Sequence, residues 1–329
     1  MIHLNLLSPS ARSASTSPLD IQDVRERLSV IVSGKYRILK QLGSGGMSTV
    51  WLARHRIHGA LFALKVLHPS LADVPELKEM FYREAMHAGA LAEHPNIVSV
   101  LDIDYADGLH YLVMPYIRGV DLGEALKHCG RFHWNDALTV VLEIAIILDY
   151  AETCGIYHGD LTPGNVRIDE FGRILLLDFG LSRSIHISEV QSAYKLGTPY
   201  AMSPEQIRGD TVDNRSDLYA AGVLLFELLT GYPPFRGDTT EAIEEQHLRG
   251  NLFLPPQIRQ AHEELPQLLQ SLMAKKAKDR PQNAKSLENS LLQMGATHRP
   301  LDIASLLPQE KSDTPLRRRL SDQSAAIKP

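Results

Sequence analysis

Hydrophobic residues recur with two different rhythms along this chain, and the change from one to the other divides it. Between Tyr36 and Pro115, short runs of β-branched, aliphatic and aromatic residues alternate with turn residues, predicting strands over 36–42, 49–53, 61–67, 98–103 and 110–114. One stretch, 76–93, instead carries apolar residues at helical spacing. From Asp121 onward that spacing dominates, predicting helices over 134–154, 215–230, 240–249, 265–274 and 284–294, with short strands at 166–168 and 173–177. The pattern describes an α+β chain with two lobes: a small strand-rich one over 34–118 containing one long helix, and a larger, mainly helical one over 119–295. No internal repeat is visible.

The ends behave differently. Residues 8–18 are dominated by Ser, Ala and Pro, a composition that buries too little apolar surface to offset the entropy of ordering. Residues 1–33 therefore read as a flexible arm, except that Leu19, Val24, Leu28 and Ile31 stand at helical spacing and predict a short helix docked on the body. Pro, Ser and Arg return after Gly295, so 296–329 reads as a mobile tail.

Composition narrows the class. With 329 residues, 44% of them hydrophobic and 22% charged, the chain can bury one large core or two adjoining ones. The net charge of -5 argues against nucleic acid as the main partner, although Arg317, Arg318 and Arg319 run against that average. Cys129 and Cys154 lie in no metal-ligand or disulfide pattern and read as reduced structural thiols. The longest apolar stretch, 137–151, is interrupted by Glu143 and Asp149 and is shorter than the roughly 20 residues a membrane span needs. The apolar start has no basic region before it. These features predict a cytoplasmic protein; the oligomeric state is not legible.

Four segments carry chemistry. The run Leu42-Gly43-Ser44-Gly45-Gly46-Met47-Ser48-Thr49-Val50 is a glycine-rich turn between two strands, either a tight hairpin or a loop whose backbone N–H groups can approach phosphate oxygens. In Phe62-Ala63-Leu64-Lys65-Val66-Leu67 a single lysine interrupts an apolar strand. It is either a solvent-face lysine or one held by an anion, and Glu84 on the following helix is placed to supply that anion. The third and fourth are Tyr157-His158-Gly159-Asp160-Leu161-Thr162-Pro163-Gly164-Asn165-Val166 and Leu176-Leu177-Asp178-Phe179-Gly180. They place two carboxylates and an amide in loops beside short strands, a donor set suited to Mg²⁺ with one carboxylate left to act as a base.

In this order and spacing, these segments resemble the Hanks-type protein kinase domain, in its bacterial Ser/Thr branch, over most of the chain. The segment Gly197-Thr198-Pro199-Tyr200-Ala201-Met202-Ser203-Pro204-Glu205-Gln206 and the runs Ser216-Asp217-Leu218-Tyr219 and Asp279-Arg280-Pro281 reinforce it. The resemblance implies a bilobal fold and transfer of the γ-phosphoryl group of ATP to Ser or Thr hydroxyls of proteins, this one included. It implies that Lys65, oriented by Glu84, holds the α- and β-phosphates. Asn165 and Asp178 bind Mg²⁺, with Mn²⁺ as an alternative, and Asp160 is the base. Gly43, Ser44, Gly45, Gly46, Met47 and Ser48 cover the phosphates, while Leu42, Val50 and Ala63 roof the adenine. Met114 is the gatekeeper, Pro115 and Ile117 meet adenine through their backbone, and Glu205 with Arg280 forms a structural brace.

Three positions depart from the pattern. Gly159 replaces an arginine that usually pairs with a phosphorylated loop. Thr162 replaces a lysine that neutralises the transferring phosphate. Arg167 stands where an apolar residue usually lies beneath adenine, so its guanidinium is expected to stack, to snorkel or to reach a phosphate. These departures sustain an alternative reading, a catalytically weak pseudokinase acting as a nucleotide-binding regulator or scaffold. Ser182, Ser184, Ser188 and Ser192 are candidate autophosphorylation sites. The run Arg317-Arg318-Arg319-Leu320-Ser321 reads as a solvated tail, a docking segment for an acidic partner or membrane, or a substrate of a kinase that selects basic sequences.

Overall fold

The computed structural model of the chain describes residues 18–179 and 199–307. The arm before Pro18, Gly180, the four serines at 182, 184, 188 and 192, Gly197, Thr198 and the tail from 308 lie outside the described residues.

The first lobe is a five-stranded antiparallel sheet in the order β1-β2-β3-β5-β4, formed by β1 Tyr36–Ser44, β2 Ser48–His55, β3 Leu61–Leu67, β4 Asp102–Ala106 and β5 Leu109–Pro115. Alternation along its strands separates two faces. Trp51, Ala53, Leu64, Val66, Leu109, Tyr111 and Val113 point to one side, where Val24, Leu28 and Val32 of helix α1 (Pro18–Ile31) and the residue just after it cover them. The other face carries Leu67 and Leu112 against Leu77, Met80, Phe81 and Ala85 of helix α3 (Pro75–Ala90). A single turn, α2 (Pro69–Ala72), links β3 to α3. In α3 the buried positions run Leu77, Met80, Phe81, Glu84, Ala85 and Ala88, one helical stripe in which Glu84 is the sole charged member.

The predicted strand 98–103 lies several residues too early. Residues 96–98 are drawn to the second lobe instead: Leu176 N–H donates to the Asn96 carbonyl (2.8 Å) and Val98 N–H to the Leu176 carbonyl (3.0 Å). The chain joins the first sheet from Leu101, whose N–H donates to the Val113 carbonyl (2.8 Å), and pairs along β4 from Asp102.

The second lobe is built on two helices buried on nearly every side, α5 (Trp134–Thr153) and α7 (Asn214–Thr230), which pack on each other. Around them lie α4 (Leu122–Cys129), α6 (Pro204–Arg208), α8 (Thr240–Arg249), α9 (Pro256–Ala261), α10 (Leu265–Leu272) and α11 (Ala284–Gln293). A three-stranded sheet of β6 Gly119–Asp121, β7 Val166–Asp169 and β8 Ile174–Leu176 sits at the cleft side. β6, α4, α6 and α9 are short enough that periodicity did not reveal them. Among the described residues no helix is long and apolar enough to cross a membrane.

The stretch 296–307, assigned above to the tail, is part of the packed body. Ala296, Leu301 and Leu306 are buried, Leu301 N–H donates to the Gly172 carbonyl (2.9 Å), and α12 (Ile303–Leu306) rests on α4. Its apolar residues are too sparse to register as a helix, yet each finds a place in a core that already exists.

Candidate active site

The lone lysine of β3 is buried, not solvent-facing. Lys65 Nζ lies 2.7 and 2.8 Å from the two carboxylate oxygens of Glu84 and 2.9 Å from Asp178 Oδ2. Burial alone would strip its proton, but Asp178 and Glu84 hold its pKa above the ordinary value. Two carboxylates on one ammonium leave the cluster short of positive charge. Burial, and next the Asp178 charge, push the Glu84 carboxyl up to about 8, whereas the Lys65 charge overcomes burial at Asp178 and keeps that group low. Asp178 also adopts φ 59°, a left-handed backbone conformation uncommon outside glycine. The surrounding structure holds it there: His87 on α3, one turn beyond Glu84, meets the Phe179 carbonyl through Nδ1 (3.0 Å), and the Phe179 ring is buried against His158.

Asp160 sits in a loop anchored from three sides. Asp217, at the start of α7, accepts the backbone N–H groups of His158 and Gly159, each at 2.7 Å. Gln206 Nε2 donates to the Gly159 carbonyl at 2.7 Å, and His158 Nε2 meets the Leu177 carbonyl at 2.8 Å. Gly159 has φ 76°, so glycine removes a strain that an arginine here would carry. Burial, reinforced by Asp178, pushes the Asp160 carboxyl up to about 7 even though Asn165 donates to it. Asn165 Nδ2 donates to the Asp160 carbonyl (2.8 Å) and to Oδ2 (3.2 Å). That leaves its amide oxygen, like the Asp178 carboxylate, available to a hard cation.

The apolar side of the cleft is a small cluster of Ala63, Val98, Met114 and Leu175, with Val50, Ile117 and Leu177 packed against it. Val50, Ala63, Met114 and Ile117 thus come together as expected, while Leu42 is 37% exposed on edge strand β1 and lies outside the cluster. Pro115 can offer a ligand only its carbonyl. Arg167 does not reach toward the glycine-rich turn. Its Nε donates to the Ile117 carbonyl (2.8 Å) and its Nη2 to the Gly119 carbonyl (2.9 Å), so its head group is taken up by the segment joining the lobes.

The residues present fit a nucleotide. A Cβ added at Gly43 would meet no atom within 4 Å, and at Gly45 only the Ser48 carbonyl at 3.9 Å. The protein's own packing does not demand these glycines, and the bare backbone leaves room for a phosphate to approach closely. His68, unremarked in the sequence, is buried and meets the Gly45 carbonyl through Nε2 (3.1 Å), and its N–H donates to the Met47 carbonyl (3.0 Å), tethering the turn. Asp217, Gln206 and His87 were likewise invisible as site-supporting residues, since their partners are backbone groups far away in sequence.

The brace is present as well: Arg280 Nη1 and Nη2 meet the Glu205 oxygens at 2.6 and 2.8 Å, with the guanidinium over the Tyr219 ring.

Comparison with known proteins agrees with this geometry. The chain is 36% identical over 245 residues to serine/threonine-protein kinase PrkC of Bacillus subtilis, covering 74% of this chain and 37% of that protein. It is 39% identical over 260 residues to serine/threonine-protein kinase PknB of Mycobacterium tuberculosis, covering 77% of this chain and 41% of the relative. The probable serine/threonine-protein kinase PknB of Bifidobacterium longum is 39% identical over 263 residues, covering 76% and 38%. The chain spans about two fifths of the length of these relatives. Residues 36–292 match the protein kinase domain, and the chain belongs to that family.

Proposed function

We propose that this protein is an active Ser/Thr protein kinase that transfers the γ-phosphoryl group of ATP to Ser or Thr hydroxyls of proteins in the cytoplasm. The observation that carries the reading is the buried Lys65–Glu84–Asp178 cluster, with Asp160 and Asn165 joined beside it. Burying two carboxylates and an ammonium is costly, and a chain with no use for a polyphosphate gains nothing from it that apolar side chains would not supply.

Lys65 would hold the α- and β-phosphates, and Asn165 and Asp178 would hold Mg²⁺, which would supply positive charge to the phosphate groups. Asp160 orients the substrate hydroxyl and accepts its proton. Met114 and the apolar cluster around it enclose the adenine, with Ile117 presenting its N–H because Arg167 already occupies its carbonyl. Positioning and charge neutralisation do most of the work in such a transfer. Thr162 supplies no cation beside the transferring group, so the remaining positive charge must come from Lys65 and the metal.

The test is label transfer from ATP with Mg²⁺ to a protein substrate, comparing wild type with Lys65→Met and Asp160→Ala. Incorporation on Ser or Thr that disappears in both variants supports the kinase. ATP binding with no transfer by the wild type would overturn it in favour of a nucleotide-binding regulator.

A further inference from the structure

The segment joining the lobes offers a base fewer free groups than its backbone carries. Tyr116 N–H donates to the Leu61 carbonyl (3.3 Å), which makes 116 and 61 a hydrogen-bonded pair in the antiparallel register of β5 with β3. By alternation Pro115 and Phe62 form a non-hydrogen-bonded pair, as they must where one member has no N–H. The Pro115 carbonyl therefore points away from β3. Two residues on, Ile117 packs its side chain against the apolar cluster of Ala63, Val98, Met114 and Leu175 and carries a second donor and acceptor beside it. Three backbone groups border the cluster: an acceptor at Pro115, a donor at the Ile117 N–H and an acceptor at the Ile117 carbonyl.

Arg167 takes up the third. Val166 and Ile168 are buried in the core of the second lobe, and Arg167 between them stands directly opposite Leu175 across β7 and β8. It therefore rises from the same face as Leu175, the face turned to the cleft cluster. Its Nε fills the Ile117 carbonyl (2.8 Å) and its Nη2 the Gly119 carbonyl (2.9 Å), while the Arg118 carbonyl accepts the Glu170 N–H (3.0 Å). A carbonyl has a second lone pair, but a further donor could reach it only beside a cationic group made of donors. What remains for a base is the Pro115 carbonyl followed by the Ile117 N–H, which has no partner among the described residues.

That pair complements one purine edge. Adenine presents a donor, its N6 amino group, next to an acceptor, N1. Guanine presents the O6 acceptor, then two donors, N1–H and the N2 amino group. In adenine's position guanine would set acceptor against acceptor at Pro115 and donor against donor at Ile117. Moved along by one group, its O6 could accept the Ile117 N–H only if its two donors found the Ile117 carbonyl open. Building on the kinase reading, we propose that Arg167 is a specificity-determining residue, which by filling the Ile117 carbonyl restricts the base site to adenine and rejects purines that carry a donor at C2. It acts through that carbonyl and not by contact with the reacting atoms.

The test is isothermal titration of the full chain, with Mg²⁺, against ADP, GDP and the diphosphate of 2,6-diaminopurine riboside, which differs from ADP only by an amino group at C2. The wild type should bind the diaminopurine compound no more tightly than ADP, and GDP at least about tenfold more weakly. In Arg167→Met both should gain at least about tenfold relative to ADP. The ratio to ADP is the readout, because loosening the segment shifts the affinity for every nucleotide alike and leaves the ratio in place. Tighter binding of the diaminopurine compound by the wild type would overturn the proposal, and this comparison decides alone if Arg167→Met does not fold. Unchanged ratios in a folded Arg167→Met would overturn it as well. ADP binding with the expected ratios but no phosphoryl transfer would overturn the kinase reading and leave the base selection standing, whereas a wild type that binds no ADP would overturn both.

Discussion

At the scale of single residues, the site depends on groups whose charge is set by their surroundings. Asp160 needs its carboxylate and its hydrogen bond from Asn165, so Asp160→Asn should lower kcat by at least about 100-fold. ATP affinity should stay within a few-fold, as isothermal titration would show, because Asp160 is not among the groups proposed to hold the nucleotide. Arg167 makes a different case. Its guanidinium satisfies the carbonyls of Ile117 and Gly119, so Arg167→Leu removes two donors from partly buried acceptors. That change should cost about 1–3 kcal/mol in urea denaturation, alongside an altered KM for ATP. An apolar residue at this position is therefore not a simple replacement here. Gly159 shows the same lesson in reverse: its backbone conformation at φ 76° and its two hydrogen bonds give the position a structural role without any side chain.

At the scale of elements, the first lobe is a sheet covered on both faces. Helix α3 covers one face and carries Glu84 to Lys65; helix α1 covers the other, in a buried cluster that holds none of the residues assigned to chemistry. α1 is nonetheless part of the lobe, because without it Trp51, Tyr111 and Val113 would be exposed to water. Leu28 is fully buried at its centre. Leu28→Ala should destabilise the protein by about 2–5 kcal/mol, read as a lowered urea midpoint with little change in m. If the midpoint does not move, α1 is not packed as described.

At the scale of the whole molecule, buried polar pairs tie distant segments of the second lobe together. Arg280 links the segment after α10 to Glu205 on α6, and its removal would leave a carboxylate without its partner. Arg280→Leu should cost about 3–5 kcal/mol, measured by equilibrium unfolding. His247 on α8 gives a pH signature. It is fully buried against Tyr219, and burial, followed by the Lys275 charge, lowers its pKa to about 4 from an ordinary value of 6.5. Between those values the unfolded chain binds the proton and the folded one does not. Its stabilising contribution is therefore complete above pH 6.5 and is lost as pH falls toward 4, a change of up to about 3 kcal/mol. The stability difference between wild type and His247→Gln should shrink over that interval, whereas a constant difference would mean that the ring is not held neutral.

The order of strands and helices was legible in the sequence because periodicity records which residues must leave water. The glycine-rich turn, Lys65, Glu84, Asp160, Asn165 and Asp178 could be singled out in the sequence as candidates because the proposed chemistry limits the residue types that can occupy such positions. The sequence could not decide between a solvent-facing and a buried Lys65. That depended on α3 bringing a carboxylate from 19 positions away to within 2.7 Å. Nor could it reveal that Arg167 is taken up by the hinge carbonyls, that His68 and His87 secure the two loops over the cleft, or that 296–307 packs as body and not as tail. In each case the deciding partner is a backbone group or a cavity made by residues far away along the chain. Such partners have no local pattern, since they exist only once the fold has brought them together.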